Sequence, residues 1–342
     1  MNLEFRKHFA SDNNSGVIPE VLLELSAINH GHFPSYGADP ITQAARKEIN
    51  RVFGDCDSYF VFNGTAANVL ALQTMLKPHQ SIICAETSHL HESECGAPER
   101  FLGSKLQLCP TKDGKITVSD IQQKMIRLGD QHASQPKVVS ITQPTEYGTV
   151  YSLSELQEIS NYAKDNNLYL HIDGSRLVNA AEHLGLEPYE ITKFADAVSL
   201  GGTKNGLMGA EAVLLFNSSL KEEFKYIQKQ SMQLAGKMRY LSAQFYAWLK
   251  DDTYKKYAAH SCRMARELAN ELKKISGVEI TQKVETNTVF VTLPREALKA
   301  TRNEYFFYVW NEHTFECRLM TSFDTTIEDV NNFASLIQKY SN

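Results

Sequence analysis

Five short apolar runs in this chain each give way to residues that can do chemistry. Residues 58–62 lead into Asn63-Gly64-Thr65, and residues 81–84 into Glu86, His89 and His91. Residues 137–142 lead into Gln143 and Glu146, residues 168–172 into Asp173 and Arg176, and residues 197–200 into Gly201-Gly202-Thr203-Lys204. In an open parallel sheet, ligands lie beyond the carboxyl ends of the strands. Five polar or ionisable strand ends on one edge therefore predict a site.

Each group suggests a chemistry. Asn-Gly-Thr at a strand-to-helix turn suits an anion, because glycine admits close approach and the first helical amides lack intrahelical partners. The competing reading makes Thr65 an ordinary helix cap. Neither a P-loop nor a G-x-G-x-x-G fingerprint is present. Asp173, at the end of an apolar strand, needs a cationic or protonated partner. That partner is either Arg176 or a protonated ring nitrogen. Lys204, flanked by glycines after a buried strand, reads as an amine with a lowered pKa that can condense with a carbonyl. The competing reading is a solvated surface lysine. An anion cup, a histidine, an aspartate and a lysine, in that order, point to pyridoxal 5'-phosphate (PLP).

These residues need a scaffold. Residues 212–216 add a sixth candidate strand, and helices are expected at 41–52, 66–76, 118–128 and 153–166. Strands alternating with helices predict an α/β fold with a mostly parallel sheet covered on both faces. A long helical stretch is expected at 220–249, broken near Gly236, and a second at 254–275. Strands at 278–281, 288–293 and 317–321 and helices near 302–311 and at 327–340 predict a small C-terminal α/β domain. The boundary is placed at Asp251-Asp252, giving a large domain of residues 1–250 with an N-terminal arm and a small domain of residues 251–342. Phe306, Phe307 and Tyr308 are read as core.

The chain has 342 residues, a net charge of −5, 42% hydrophobic and 22% charged residues. That balance fits a globular protein, and the missing basic excess argues against nucleic acid as a partner. No apolar run is long enough to cross a membrane, and the N-terminus shows no secretory signal. The six cysteines, Cys56, Cys84, Cys95, Cys109, Cys262 and Cys317, form no C-x-x-C pair. They read as reduced thiols of a cytoplasmic protein, with no metal site expected.

The chain resembles the L-threonine aldolase / β-eliminating lyase family, which is PLP-dependent and has the aspartate aminotransferase-like fold. The resemblance runs from Ser11 to about Asp324. It rests on Ala10-Ser11-Asp12-Asn13, Tyr36-Gly37-Ala38-Asp39-Pro40, Asn63-Gly64-Thr65-Ala66-Ala67-Asn68, Ser88-His89 with Glu94-Cys95-Gly96-Ala97, the run from His171 to Ala180, Thr203-Lys204-Asn205-Gly206 and Cys317-Arg318-Leu319. By position, it implies that Lys204 is the Schiff-base lysine and that Gly64 and Thr65 form the phosphate cup, helped by Thr203. It further implies His89 stacked on the pyridine ring, Asp173 on the ring nitrogen, and Ser11, Arg176 and Arg318 around the substrate carboxylate, with Arg176 also beside the cofactor. Arg239 is implied to reach a neighbouring subunit's phosphate, in a homodimer or homotetramer with shared sites, and Tyr36 is a further candidate to cross that interface.

Thr-Lys-Asn-Gly stands where many members have Ser-Lys-Gly-Leu, and Thr145 is taken to replace a histidine found after the third strand. The chain thus resembles a low-specificity branch. The implied reaction splits the Cα–Cβ bond of a small β-hydroxy amino acid such as L-threonine or L-allo-threonine, giving glycine and an aldehyde. The base is either His89 or a water held by His89 with Glu86 or Glu94. Another PLP lyase or transaminase reaction, or a non-catalytic PLP-fold protein, are the alternatives.

Overall fold

The computed structural model describes residues 7–341, so the reading of the first six residues as no secretory signal lies outside it. A seven-stranded sheet contains β1 (Asp57–Val61), β2 (Gln80–Ala85), β3 (Lys105–Cys109), β4 (Gln135–Thr142), β5 (Tyr169–Gly174), β6 (Ala197–Gly201) and β7 (Glu211–Leu215). Their spatial order is β1-β7-β6-β5-β4-β2-β3. Strands β2 to β6 pair in parallel. Only β7 runs against its neighbours, β6 and β1. The carboxyl ends of β1, β2, β4, β5 and β6 therefore share one edge. Thr142 registers against Asp173, and Asp173 against Ser199.

The central strands β6 and β7 are buried along their whole length, as strands covered on both faces must be. His171 is a buried polar residue in the middle of β5. Its Nδ1 meets Ser140 Oγ and its Nε2 meets Ser199 Oγ, each at 2.9 Å. Burial pushes its pKa down to about 4, so it is a neutral, doubly hydrogen-bonded core residue. The edge strand β3 is not expected from the sequence. It has five residues, two of them Lys105 and Gln107, and its place comes from pairing with β2 rather than from its own pattern.

The expected helical stretch at 220–249 is two helices, Lys221–Gln230 and Arg239–Leu249. Between them Met232 has a left-handed φ of 63°, a conformation that does not continue a helix. Thr253–Leu272 then leads to a second, antiparallel sheet of β8 (Glu279–Ile280), β9 (Thr288–Thr292), β10 (Tyr308–Asn311) and β11 (Glu316–Met320), in the order β10-β11-β9-β8. The helix expected near 302–311 is not there. A helix at Arg295–Arg302 precedes strand β10. The run Phe306-Phe307-Tyr308-Val309-Trp310 is aromatic and β-branched, which favours a pleated surface over a helix. Its period of two also corrects the core assignment: Phe307 is 1% exposed, but Phe306 and Tyr308 are 47% and 45% exposed.

The second core, around Val289, Leu319 and Phe333, also takes in Phe9 from the N-terminal arm. Phe9 N–H donates to Phe306 O, and Met320 N–H donates to Phe9 O. The arm is thereby sewn to the C-terminal sheet. Among the described residues, no helix is long and apolar enough to cross a membrane.

Gly201 and Gly202 end β6 where two backbones close on it. A Cβ on Gly201 would collide with Ser175 O, and one on Gly202 with Ala210 O. Gly201→Ala should therefore lower stability by about 1–3 kcal/mol, the range for an overpacked core. An unchanged urea midpoint would contradict this packing.

Candidate functional site

A cavity of about 440 Å³ opens at the shared strand edge, lined by Gly64 and Thr65 at one end, by His89 and Asp173, and by Thr203 and Lys204. The helix Gly64–Gln73 starts at its wall. The helix cap is Asn63, whose Oδ1 accepts from Ala66 N–H at 2.9 Å. Thr65 is thus not the cap. It lies in the first turn, where amides have no carbonyl one turn back and suit an anion. A Cβ at Gly64 would meet nothing within 4 Å, so the bare backbone leaves that end open.

Asp173 is buried at the end of β5. Its Oδ2 accepts from Asn68 Nδ2 at 2.9 Å, and its Oδ1 from Ser175 N–H at 3.0 Å. Asn68 Nδ2 also donates to Glu94 Oε1 at 2.8 Å, and that same oxygen lies 2.8 Å from His89 Nδ1. Asp173, Asn68, Glu94 and His89 therefore form one chain. Burial works to raise the Asp173 pKa, but His89, Lys204 and the Asn68 hydrogen bond together hold it below its ordinary value. Asp173 is not paired with Arg176, which removes that reading of its role.

Arg176 is engaged elsewhere. Its Nε and Nη2 donate to Asp12 Oδ2 and Oδ1 at 2.6 and 2.8 Å, a two-pronged pair that Asn287 Nδ2 joins at 3.1 Å. Ser11 Oγ accepts from Asn13 N–H and contacts Asp12. Asn13 itself lines the cavity, so the arm brings Asp12 and Asn13 to the site from far away in sequence.

Lys204 sits in a short turn, Thr203–Asn205. Asn205 Nδ2 pins that turn to Gly201 O and Ser175 O, and Glu211 Oε2 accepts from Gly202 N–H at 2.6 Å. Burial, then the charge of Arg176, lowers the Lys204 pKa against the pull of Asp12, Asp173 and Glu211. An amine so placed has more of its neutral, nucleophilic form than a surface lysine.

Arg318, on β11, stacks on Tyr308 and Trp310, with its guanidinium carbon 5.6 and 5.1 Å from their ring centres. Its Nε is buried with no partner. Burial, reinforced by Arg176, pulls its pKa down to about 10. Two neighbouring guanidiniums, one with an idle donor, suit a carboxylate.

The structure thus brings Gly64, Thr65, His89, Asp173, Thr203 and Lys204 to one cavity. Ser11, Arg176 and Arg318 do not line it. They form a cationic flank reached through Asp12 and Asn13. Arg239 is elsewhere, 5.1 Å above the rings of Phe33 and Tyr240, with its Nε unpartnered. His91 pairs with Glu92, and His132 is exposed. In the loop after β4, Thr145 Oγ1 turns to Asp113 O and Thr149, while Glu146 Oε1 accepts from His89 N–H. Asp12 and Asn68 lie within the motifs that carry the resemblance, but spacing alone gives them no role; Glu94, expected from the sequence only as a holder of water, lies 2.8 Å from His89 Nδ1.

The open, mostly parallel sheet is shared with the aspartate aminotransferase-like fold. Aspartate aminotransferase from Thermus thermophilus superposes with a TM-score of 0.70 at 14% identity, covering 96% of this chain and 89% of that one. A threonine aldolase from Leishmania major superposes with a TM-score of 0.93 at 29% identity, covering 98% and 99%. A low specificity L-threonine aldolase from Pseudomonas aeruginosa is 43% identical over 96% of both chains. The family model for beta-eliminating lyases matches residues 8–296, and the chain belongs to that family.

The Asp12–Arg176 pair gives a stability prediction. Burial opposes the Asp12 charge, but Arg176, with Lys204 and Asn287, outweighs it and holds the carboxyl below its ordinary value of 3.8. A depressed carboxyl contributes stability above its unfolded pKa and loses it as the pH falls through the lower folded value. Asp12→Ala leaves a buried guanidinium uncompensated and should cost about 3–5 kcal/mol at pH 7. Chemical denaturation should show the gap narrowing below pH 3.8. A gap independent of pH would contradict the ion pair.

Proposed function

We propose that this chain is a PLP-dependent low-specificity L-threonine aldolase that converts L-threonine and L-allo-threonine to glycine and acetaldehyde. The observation that carries the reading is the 43% identity across nearly the whole length of both chains. The cavity fits the cofactor: the open first-turn amides at Gly64 and Thr65 would hold its phosphate, and the buried Asp173, its pKa held low, would pair with its protonated ring nitrogen. Lys204 lines the same cavity as an amine of lowered pKa, with Thr203 preceding it in the chain. His89, fixed through Nδ1 by Glu94, offers its ring as a platform. Bound there, PLP supplies a sink for the electron pair left on Cα when the Cα–Cβ bond breaks.

The chain's own residues do the rest. Arg318 takes the substrate carboxylate on its idle donor, with Arg176 and Ser11 completing that flank. Fixing amine and carboxylate sets which Cα bond is aligned for cleavage, the entropic part of the catalysis. Asp173 stays ionised and keeps the ring nitrogen protonated. The active unit is a homodimer or homotetramer with shared sites. Phe33, Tyr36, Phe62 and Met232 are exposed apolar residues; Tyr36 N–H to Gly236 O and Phe62 N–H to Gln233 Oε1 bring the segments around 36, 62 and 232–236 together, and Arg239 lies over the Phe33 ring. From there Arg239 serves the neighbour's phosphate.

Purified protein supplied with PLP should release glycine and acetaldehyde from both L-threonine and L-allo-threonine. Formation of 2-oxobutyrate and ammonia in place of glycine would favour β-elimination instead. A second outcome concerns the shared site. Lys204→Ala and Arg239→Ala subunits, each inactive alone, should recover about a quarter of wild-type activity on equal mixing, since half the dimers then carry one intact site. Confirmed subunit exchange without recovery would contradict a site built from two chains.

A further inference from the structure

We propose that Glu146 is the base that takes the β-hydroxyl proton of the substrate. The inference rests on the aldolase reading and deepens it. Glu146 lies just after β4, and its Oε1 is saturated, accepting from His89 N–H at 2.8 Å and Thr142 Oγ1 at 2.9 Å. Its Oε2 is shut off from solvent and has no partner. A buried carboxylate oxygen without a donor is costly, and a substrate hydroxyl is the kind of group that would satisfy it.

Most of the other acids and bases at the edge are committed. His89 Nδ1 meets Glu94, and Glu94 is fully enclosed with Asn68 on the same oxygen. Asp173 is needed ionised at its own post. Glu86 is exposed and accepts from Thr111 N–H. Glu211 holds the lysine turn. Glu94 Oε2 is likewise buried without a partner, but among these groups Glu146 is the carboxylate whose charge reaches both arginines of the flank. Glu146 also touches His89.

The step balances. Oε2 of ionised Glu146 takes the hydroxyl proton, and the O–H pair becomes the second bond of the aldehyde carbonyl. Cα–Cβ breaks, its pair remains on Cα, and Cα later gains a proton to become glycine. Burial, then the charge of Asp173, raises the Glu146 pKa to about 7, close to the working pH that best suits a general base. The groups facing it are Asp173 and Arg176 from the β5 end, Arg318 from β11, His89, and the neutral Cys84, Tyr147 and Tyr151. Only Asp173 among them adds negative charge.

The test is Glu146→Gln, whose amide oxygen can still accept from His89 and Thr142. With PLP bound, cleavage of L-threonine should fall by at least about 100-fold, the usual worth of a general base. Exchange of the Cα hydrogen of glycine with deuterium, which needs no hydroxyl proton, should stay within about threefold of wild type. The rise of wild-type kcat/KM through about pH 7 should vanish in the variant, and Glu146→Asp should restore part of the cleavage.

The apoprotein gives a readout free of turnover. A carboxyl with a raised folded pKa favours folding most below its unfolded value of 4.5 and progressively less up to about 7. Glu146→Gln should therefore raise Tm at about pH 8 relative to wild type more than at about pH 5. Cleavage retained within about tenfold, or cleavage and glycine exchange falling together, would overturn the assignment. A wild-type protein that exchanges glycine but cleaves neither threonine isomer would sink the aldolase reading, and this role with it.

Discussion

An ionised carboxylate buried at the end of the central strand is the constraint around which the site is built. Such a charge costs several kcal/mol unless it is hydrogen-bonded and electrostatically matched. Asp173 meets this need through Ser175 N–H and through Asn68, whose two amide hydrogens serve Asp173 and Glu94 separately. Glu94 in turn fixes Nδ1 of His89. One amide thus couples the depth of the cavity to the ring at its face. Removing Asn68 would take a hydrogen bond from two buried carboxylates at once.

The same arrangement separates two electrostatic zones. Asp173 does not consume Arg176, because Asp12 takes that guanidinium on both prongs. Asp12 is in position because Phe9, three residues earlier, is locked into the second core and bonded to Phe306 and Met320. The cationic flank is therefore assembled from three distant segments: the arm, the loop after β5, and the second sheet. Arg318 completes it from β11, held by stacking on Tyr308 and Trp310. That support is apolar, so it orients the guanidinium without neutralising it. Lys204 feels the result, its pKa lowered by burial and by Arg176.

Much of this is legible in the sequence, for a local reason. A strand in a parallel sheet is a short apolar run, and the residues just beyond its carboxyl end must lie at the ligand-bearing edge. Gly64, His89, Asp173 and Lys204 emerge this way, and so does the α/β architecture. The residues that support them do not. Asn68 lies 105 positions from Asp173, and Asp12 lies 164 from Arg176. Single-sequence spacing carries no signal over such separations. Thr65 and Asn63 are both good caps by type, and only the geometry chooses Asn63. The stretch around Tyr308 reads as helix from its neighbours, but the true helix ends at Arg302 and an aromatic strand takes over. Glu146 is visible beside Thr145, yet which of the two points to His89 depends on how the loop after β4 turns.

The central claim is that Asp173 remains ionised in its buried position and holds a proton on the nitrogen of the ring it faces. The most direct measurement is the 15N chemical shift of PLP labelled at the ring nitrogen and bound to the protein at about pH 8, well above the ordinary range of a carboxyl. The account predicts a protonated nitrogen in the wild type and a deprotonated one in Asp173→Asn, which keeps the shape and loses the charge. The same shift in both proteins would contradict it, and would leave Asp173 as no more than a packing partner of Asn68.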